Sequence, residues 1–115
     1  IVGKAFGSAY VAMNSKSVGA DLVYAWPTAE IGMMDSALAA KIMYADEIES
    51  GDATEVIAEK TAEYQNLQGS VMSAAARGYV DSIVEPVDTR KYIIGAFEML
   101  YTKFEDRPGK KHGTV

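Results

Sequence analysis

A chain of 115 residues is one domain at most. Its formal net charge of −5 argues against a nucleic-acid partner, and the absence of cysteine excludes disulfides, thiolate catalysis and cysteine metal sites. Hydrophobic residues make up 49% of the chain, enough for a small core, yet no apolar run reaches the ~18 residues that would span a bilayer.

Ile1 to Phe6 reads as a short strand that breaks at Gly7. The opening Ile1-Val2 resembles the second half of a buried strand, so the expectation is a piece of something longer. Ser8 suits an N-cap, and Ala9 to Lys16 places Tyr10, Met13 and two alanines at helical spacing. Gly19 is the expected left-handed cap of that helix. Asp21 to Ala25 is apolar on both faces, as in a covered strand, and Pro27 stops it. Ala29 to Met34 is another short strand. Asp35 or Ser36 caps a helix through Ala37 to Tyr44. Glu47 to Asp52 is polar, contains Gly51 and reads as a loop or helix junction. Asp52 to Ala76 is a long helical pattern with a weak point near Gly69, closed by Arg77-Gly78. Tyr79 to Val84 is a strand ended by Pro86. Asp88 or Thr89 caps a last helix, Arg90 to Lys103, whose Ile93, Ile94, Phe97, Leu100, Tyr101 and Phe104 form a broad apolar face. Residues 1–104 form the domain body, and 105–115 a polar tail. Strands alternate with helices, so the class is α/β with mostly parallel pairing.

Side-chain catalysis finds little material here. His112, the one histidine, sits in the tail, whereas a catalytic base belongs on a rigid element. Nucleophile–base triads are therefore implausible. No serine lies in a Gly-x-Ser-x-Gly elbow, and no P-loop exists. Asp46, Glu47 and Glu49 lack the spacing of a calcium loop and read as a solvated acidic stretch. No metal is expected. Backbone chemistry remains. The turn Gly7-Ser8-Ala9 would present N–H groups at a helix start, where small residues let an oxyanion approach. Such turns are common in α/β folds, so spacing alone leaves a purely structural role open. Tyr10, Met13 and Met72 read as core residues, and Trp26-Pro27 as a packed corner.

Residue identities add to spacing. Gly3-Lys4-Ala5-Phe6-Gly7-Ser8-Ala9-Tyr10, Met13-Asn14-Ser15-Lys16, Gly19-Ala20-Asp21-Leu22-Val23-Tyr24-Ala25-Trp26-Pro27 and Ala76-Arg77-Gly78-Tyr79-Val80-Asp81 occur in that order. Pro86, Thr89-Arg90 and a closing Lys110-Lys111-His112-Gly113 follow. Over nearly its whole length the chain resembles the C-terminal part of the biotin-dependent acyl-CoA carboxyltransferases. That family groups propionyl-CoA carboxylase β-subunits with methylmalonyl-CoA decarboxylase α-subunits.

The resemblance implies a crotonase-like fold of stacked ββα turns, of which this chain would be the last part of a C-terminal domain. It implies carboxyl transfer between carboxybiotin and a short-chain acyl-CoA, through enolates held by backbone oxyanion holes. It also implies a biotin carboxyl carrier protein as partner. The N-terminal carboxyltransferase domain of a neighbouring subunit would complete the site in a homo-oligomer, a hexamer at full length. In the family's Gly-Gly-Ala-Tyr motif the second Gly and the Ala donate N–H to biotin; here those positions are Ser8 and Ala9. Gly7, Tyr10 and Val11 would line the substrate side, with apolar Val11 suiting a small acyl chain. Met33-Met34-Asp35-Ser36-Ala37-Leu38 departs from the family's usual Met-Gly-Pro-Glu-Gly-Ala. The implied location is cytoplasmic, at the membrane's cytoplasmic side if the subunit serves a sodium-pumping decarboxylase. The second reading is the carboxyltransferase subunit of a sodium-pumping acyl-CoA decarboxylase, and a non-catalytic crotonase-like assembly scaffold is the third.

Overall fold

Two short parallel strand pairs carry the α/β part of the computed structural model, which describes residues 1–50 and 53–106. His112 and the Lys110-Lys111 pair lie outside the described residues, as does Gly51. In chain order the elements are β1 (Lys4–Phe6), α1 (Gly7–Ala12), β2 (Tyr24–Ala25) and β3 (Glu30–Gly32). Then come α2 (Ser36–Met43), α3 (Ala45–Ser50), α4 (Ala53–Tyr64) and α5 (Val71–Ala76), followed by β4 (Ser82–Ile83) and α6 (Thr89–Leu100).

β1 pairs with β3, with Phe6 opposite Gly32; β2 pairs with β4, with Tyr24 opposite Ser82. The expected strands are present but shorter than the apolar runs, since only these segments find a ladder partner. Ile1 is nonetheless tied down. Trp26 donates its N–H to the Ile1 carbonyl at 2.9 Å, and the Ile1 amine donates to the Tyr24 carbonyl at 2.7 Å. β2 is thus flanked by Ile1 on one side and β4 on the other.

The core lies where these strands meet α5. Val23, Ala25, Ala29, Ile31, Val71, Ala74 and Val80 form one cluster. It is built of small residues, and among the described residues no large side chain is fully buried.

Several elements differ from the sequence expectation for identifiable reasons. α1 begins at Gly7 with Phe6 as N-cap, so Ser8 lies inside the first turn and caps nothing. The helix ends at Ala12, because Asn14 adopts a left-handed φ of 70°. Gly19, left-handed as expected, closes a separate 3-10 turn at Lys16–Val18 instead. The polar stretch after Tyr44 is helical as α3: its acidic Asp46 and Glu47 fall in the first turn, where the helix dipole favours them. The long pattern before Arg77 splits into α4, a wide π-type turn at Gln65–Gly69 and α5, with Ser70 leaving helical geometry at ψ 149°. Met13 and Met72 are 83% and 68% exposed, so neither is core.

Other expectations hold. Asp35 caps α2, its carboxylate accepting the Ala37 N–H at 3.0 Å. Lys4 pairs with Asp35 at 3.1 Å and, with that N–H, holds the Asp35 carboxyl below its usual range. Among the described residues, no helix is long and apolar enough to cross a membrane.

Candidate functional site

The strand-to-helix junction at the end of β1 is where sequence and geometry converge. Gly7 has φ +57°, and a Cβ built there would sit 3.0 Å from the Met33 carbonyl oxygen. An L side chain would be both strained and crowded, so glycine is required for the turn. The same contact places the departing Met33-Met34 segment directly against it. Helix geometry leaves first-turn N–H groups without an intrahelical partner, and no side chain caps α1.

Gly7, Ser8, Tyr10 and Val11 line one wall of a cavity of about 420 Å³. Ala9, in the same turn, is exposed and not among the lining residues. Ile31, Gly32 and Met33 form the floor beside them. The opposite wall comes from the long helical region: Tyr64 from the end of α4, Gln68 from the π-type turn, and Ala74, Arg77 and Tyr79 in and after α5. Sequence reading missed this wall. In sequence Tyr64 falls inside the long helical pattern of Asp52 to Ala76, and Arg77 reads only as a cation that closes it. The usable signal was the left-handed glycine between Arg77 and Tyr79.

That turn is built by three hydrogen bonds. Arg77 N–H donates to the Ser73 carbonyl at 3.2 Å, Gly78 N–H to Ala75 at 2.9 Å and Tyr79 N–H to Ala74 at 3.0 Å. Gly78 at φ +84° makes this Schellman geometry possible. It sets Arg77 and Tyr79 on the cavity from either side of one glycine. Tyr10 packs on the core, and its buried hydroxyl has no hydrogen-bond partner among the described residues. Burial, then the nearby Tyr79, pushes the Tyr10 hydroxyl's pKa up, so it stays a neutral donor.

A cavity this size falls within the ~300–1,000 Å³ typical of small-molecule sites. Its lining combines apolar surface with a few polar groups. The described residues hold no cluster of three or more potential metal ligands.

A carboxyl transferase domain family model matches residues 1–115. The chain belongs to that family. It is 52% identical to a putative propionyl-CoA carboxylase beta chain of Bacillus subtilis (strain 168), covering 100% of this chain and 23% of that one. It is 46% identical to the alpha subunit of methylmalonyl-CoA decarboxylase from Propionigenium modestum, covering 100% and 22%. Among solved structures, the transcarboxylase 12S hexamer with methylmalonyl-coenzyme A and methylmalonic acid bound superposes with a TM-score of 0.87. There the identity is 46%, over 98% of this chain and 22% of the other. The fold is therefore α/β, part of a crotonase-like carboxyltransferase domain. The chain spans less than a quarter of the length of these relatives.

Proposed function

We propose that this chain is the biotin-side part of a carboxyltransferase subunit, moving a carboxyl group between carboxybiotin and a short-chain acyl-CoA. The observation that carries the reading is the cavity under Gly7–Val11, in a chain that matches the carboxyl transferase family from end to end. Carboxybiotin, brought by its carrier protein, supplies the carboxyl group. The residues present fit such a ligand. The left-handed glycine lets the chain turn into the helix closely packed on Met33, and the cavity beside it has the volume for a small heterocycle.

In this reading the N–H groups of Ser8 and Ala9 hold the oxyanion that develops on the ligand. One such donor is worth about 3 kcal/mol at the transition state. The role uses the backbone, so a serine at position 8 can fill it as a glycine would. Val11 and buried Ile31 add apolar surface beside those donors. Tyr10, neutral and half-buried, packs the helix start against the core.

The N-terminal domain of a neighbouring subunit, in a homo-oligomer, would complete the acyl-CoA side. Relatives named as decarboxylase alpha subunits, at 46% and 45% identity, favour a second reading: the same site run in the decarboxylating direction. Partner subunits would decide between them.

The test is carboxyl transfer by the full-length subunit, with biotinylated carrier and propionyl-CoA or methylmalonyl-CoA. Activity that disappears in Ala9→Pro and persists in Ser8→Ala supports the reading. Absence of transfer in either direction with wild-type subunit sinks it and leaves the scaffold alternative.

A further inference from the structure

We infer that Arg77 is a positioning residue that holds the carboxylate of the group in transit. The inference rests on the proposed carboxyltransferase function and adds a residue to it.

Arg77 is the one charged side chain among the residues that line the Gly7–Val11 cavity. The chain as a whole has 16 acidic and 11 basic residues, so a lone cation there runs against the overall charge. Arg77 is exposed and forms no ion pair among the described residues, whereas Lys4, Lys16, Lys60 and Lys103 all do. No carboxylate lines the cavity, so an incoming anion meets no like charge.

The geometry of its backbone is fixed. The Schellman turn at Gly78 holds Arg77 and Tyr79 on the same cavity, and Gln68 adds a neutral amide on that wall. A guanidinium presents planar, paired donors that match a carboxylate in two parallel hydrogen bonds. The facing wall offers the neutral residues Gly7 and Ser8 and apolar Val11 and Ile31. A bound molecule thus finds a cationic end and an uncharged end. A carboxylated ligand, anionic at its carboxyl and neutral at its ring or acyl carbon, matches that polarity.

Two substrates can supply the carboxylate: carboxybiotin, or the carboxylated acyl group of the CoA ester. The experiment separates them. The full-length subunit is prepared as wild type, Arg77→Ala and Arg77→Lys. Calorimetry gives Kd for methylmalonyl-CoA and propionyl-CoA, and steady-state kinetics gives KM for the carboxylated carrier. If the acyl carboxylate is held, Arg77→Ala weakens methylmalonyl-CoA roughly 10- to 100-fold and leaves propionyl-CoA unchanged. If carboxybiotin is held, KM for the carboxylated carrier rises by a similar factor and both CoA esters bind as before. In either case Arg77→Lys recovers only part of the loss, because an ammonium cannot make the paired contact.

Unchanged constants in Arg77→Ala, with wild type active, overturn the inference and leave the carboxyltransferase reading intact. Equal weakening of both CoA esters also overturns it, since that would place Arg77 on the CoA phosphates. So does a loss of thermal stability that Arg77→Lys fully restores along with activity, which would reduce Arg77 to a cation at a helix end. A wild-type subunit without carboxyl transfer removes the reading on which the inference stands.

Discussion

Around the Gly7 turn the chain is held by its own backbone, whereas α6 is held at its start and, just past its end, by the Lys103–Asp21 ion pair, with most of its apolar face open. β1, β3, Ile1 and the Gly78 turn exchange main-chain hydrogen bonds with one another or with β2 and α5. α6 touches the body through the Trp26 indole, which donates to Thr89 Oγ1 at 2.9 Å, and through an edge-on Tyr24–Tyr92 contact at 5.7 Å. Beyond that its apolar face is open: Phe97 is 71% exposed, and Ile94, Phe97 and Tyr101 border a shallow cavity. The turn has the rigidity that a site needs. The helix has the surface that a partner needs.

The largest effect should come from the turn. In the full-length subunit, Ala9→Pro deletes one backbone donor, and kcat for carboxyl transfer should fall by about 10²–10³-fold. Ser8→Ala keeps the N–H and should stay within a few-fold of wild type. Comparable losses from both would mean that the side chain, not the backbone, carries the role.

The helix should show its effect in association. The isolated chain should self-associate at micromolar concentration, as read by light scattering, because α6 leaves its apolar face uncovered. Phe97→Asp should weaken that association roughly tenfold or more, given ~1.5–3 kcal/mol for burying one large side chain. A soluble wild-type monomer would show that α6 is self-sufficient and would erase the contrast.

Sequence made the turn legible and the cavity only half so. Gly7, the Asp35 cap and the Gly78 cap are local signals, each read from one or two residues whose conformation the neighbours do not override. The near wall of the cavity follows from them, because Ser8, Tyr10 and Val11 are carried by the turn itself. The far wall is tertiary. Tyr64, Gln68 and Arg77 meet Gly7 only because α4 and α5 fold back over β3, partly through the Glu30–Ser70 bridge and the Gln65–Glu30 hydrogen bond at 3.2 Å. No periodicity reports such a meeting. Strand length failed for a related reason: apolar runs mark what can be covered, while ladders need a partner at each residue. The core assignments of Met13 and Met72 failed because spacing on a helix does not say which face is covered.

Gly7→Ala sharpens the claim that backbone geometry holds the turn. A methyl group at φ +57°, 3.0 Å from the Met33 carbonyl, should cost about 1–2 kcal/mol in thermal or denaturant unfolding. Gly3→Ala, where an added Cβ meets nothing within 4 Å, is the matched control and should leave the midpoint nearly unchanged. Equal shifts would show that the turn has slack.

The smallest effect tests the Lys16–Asp81 ion pair, which ties the 3-10 turn after α1 to the residue before β4. Lys16 Nζ donates to both Asp81 oxygens at 2.8 Å, and Asp81 Oδ2 also accepts the Val23 N–H at 2.7 Å. The Lys16 ammonium, then the Val23 N–H, lowers the Asp81 pKa below the usual carboxylate range. A depressed carboxyl stabilises the fold above its unfolded pKa of about 4, and that contribution is lost as pH falls through the lower folded value. Asp81→Asn keeps an acceptor for Val23 and removes only the charge. At pH 7 it should cost at most about 1 kcal/mol, because solvent screens a pair this exposed. The gap between wild type and variant should close as pH drops below about 4. A gap that persists at pH 2 would assign the loss to packing of the amide rather than to the ion pair. A gap absent at pH 7 would mean that the main-chain bonds between β2 and β4 hold this junction without help.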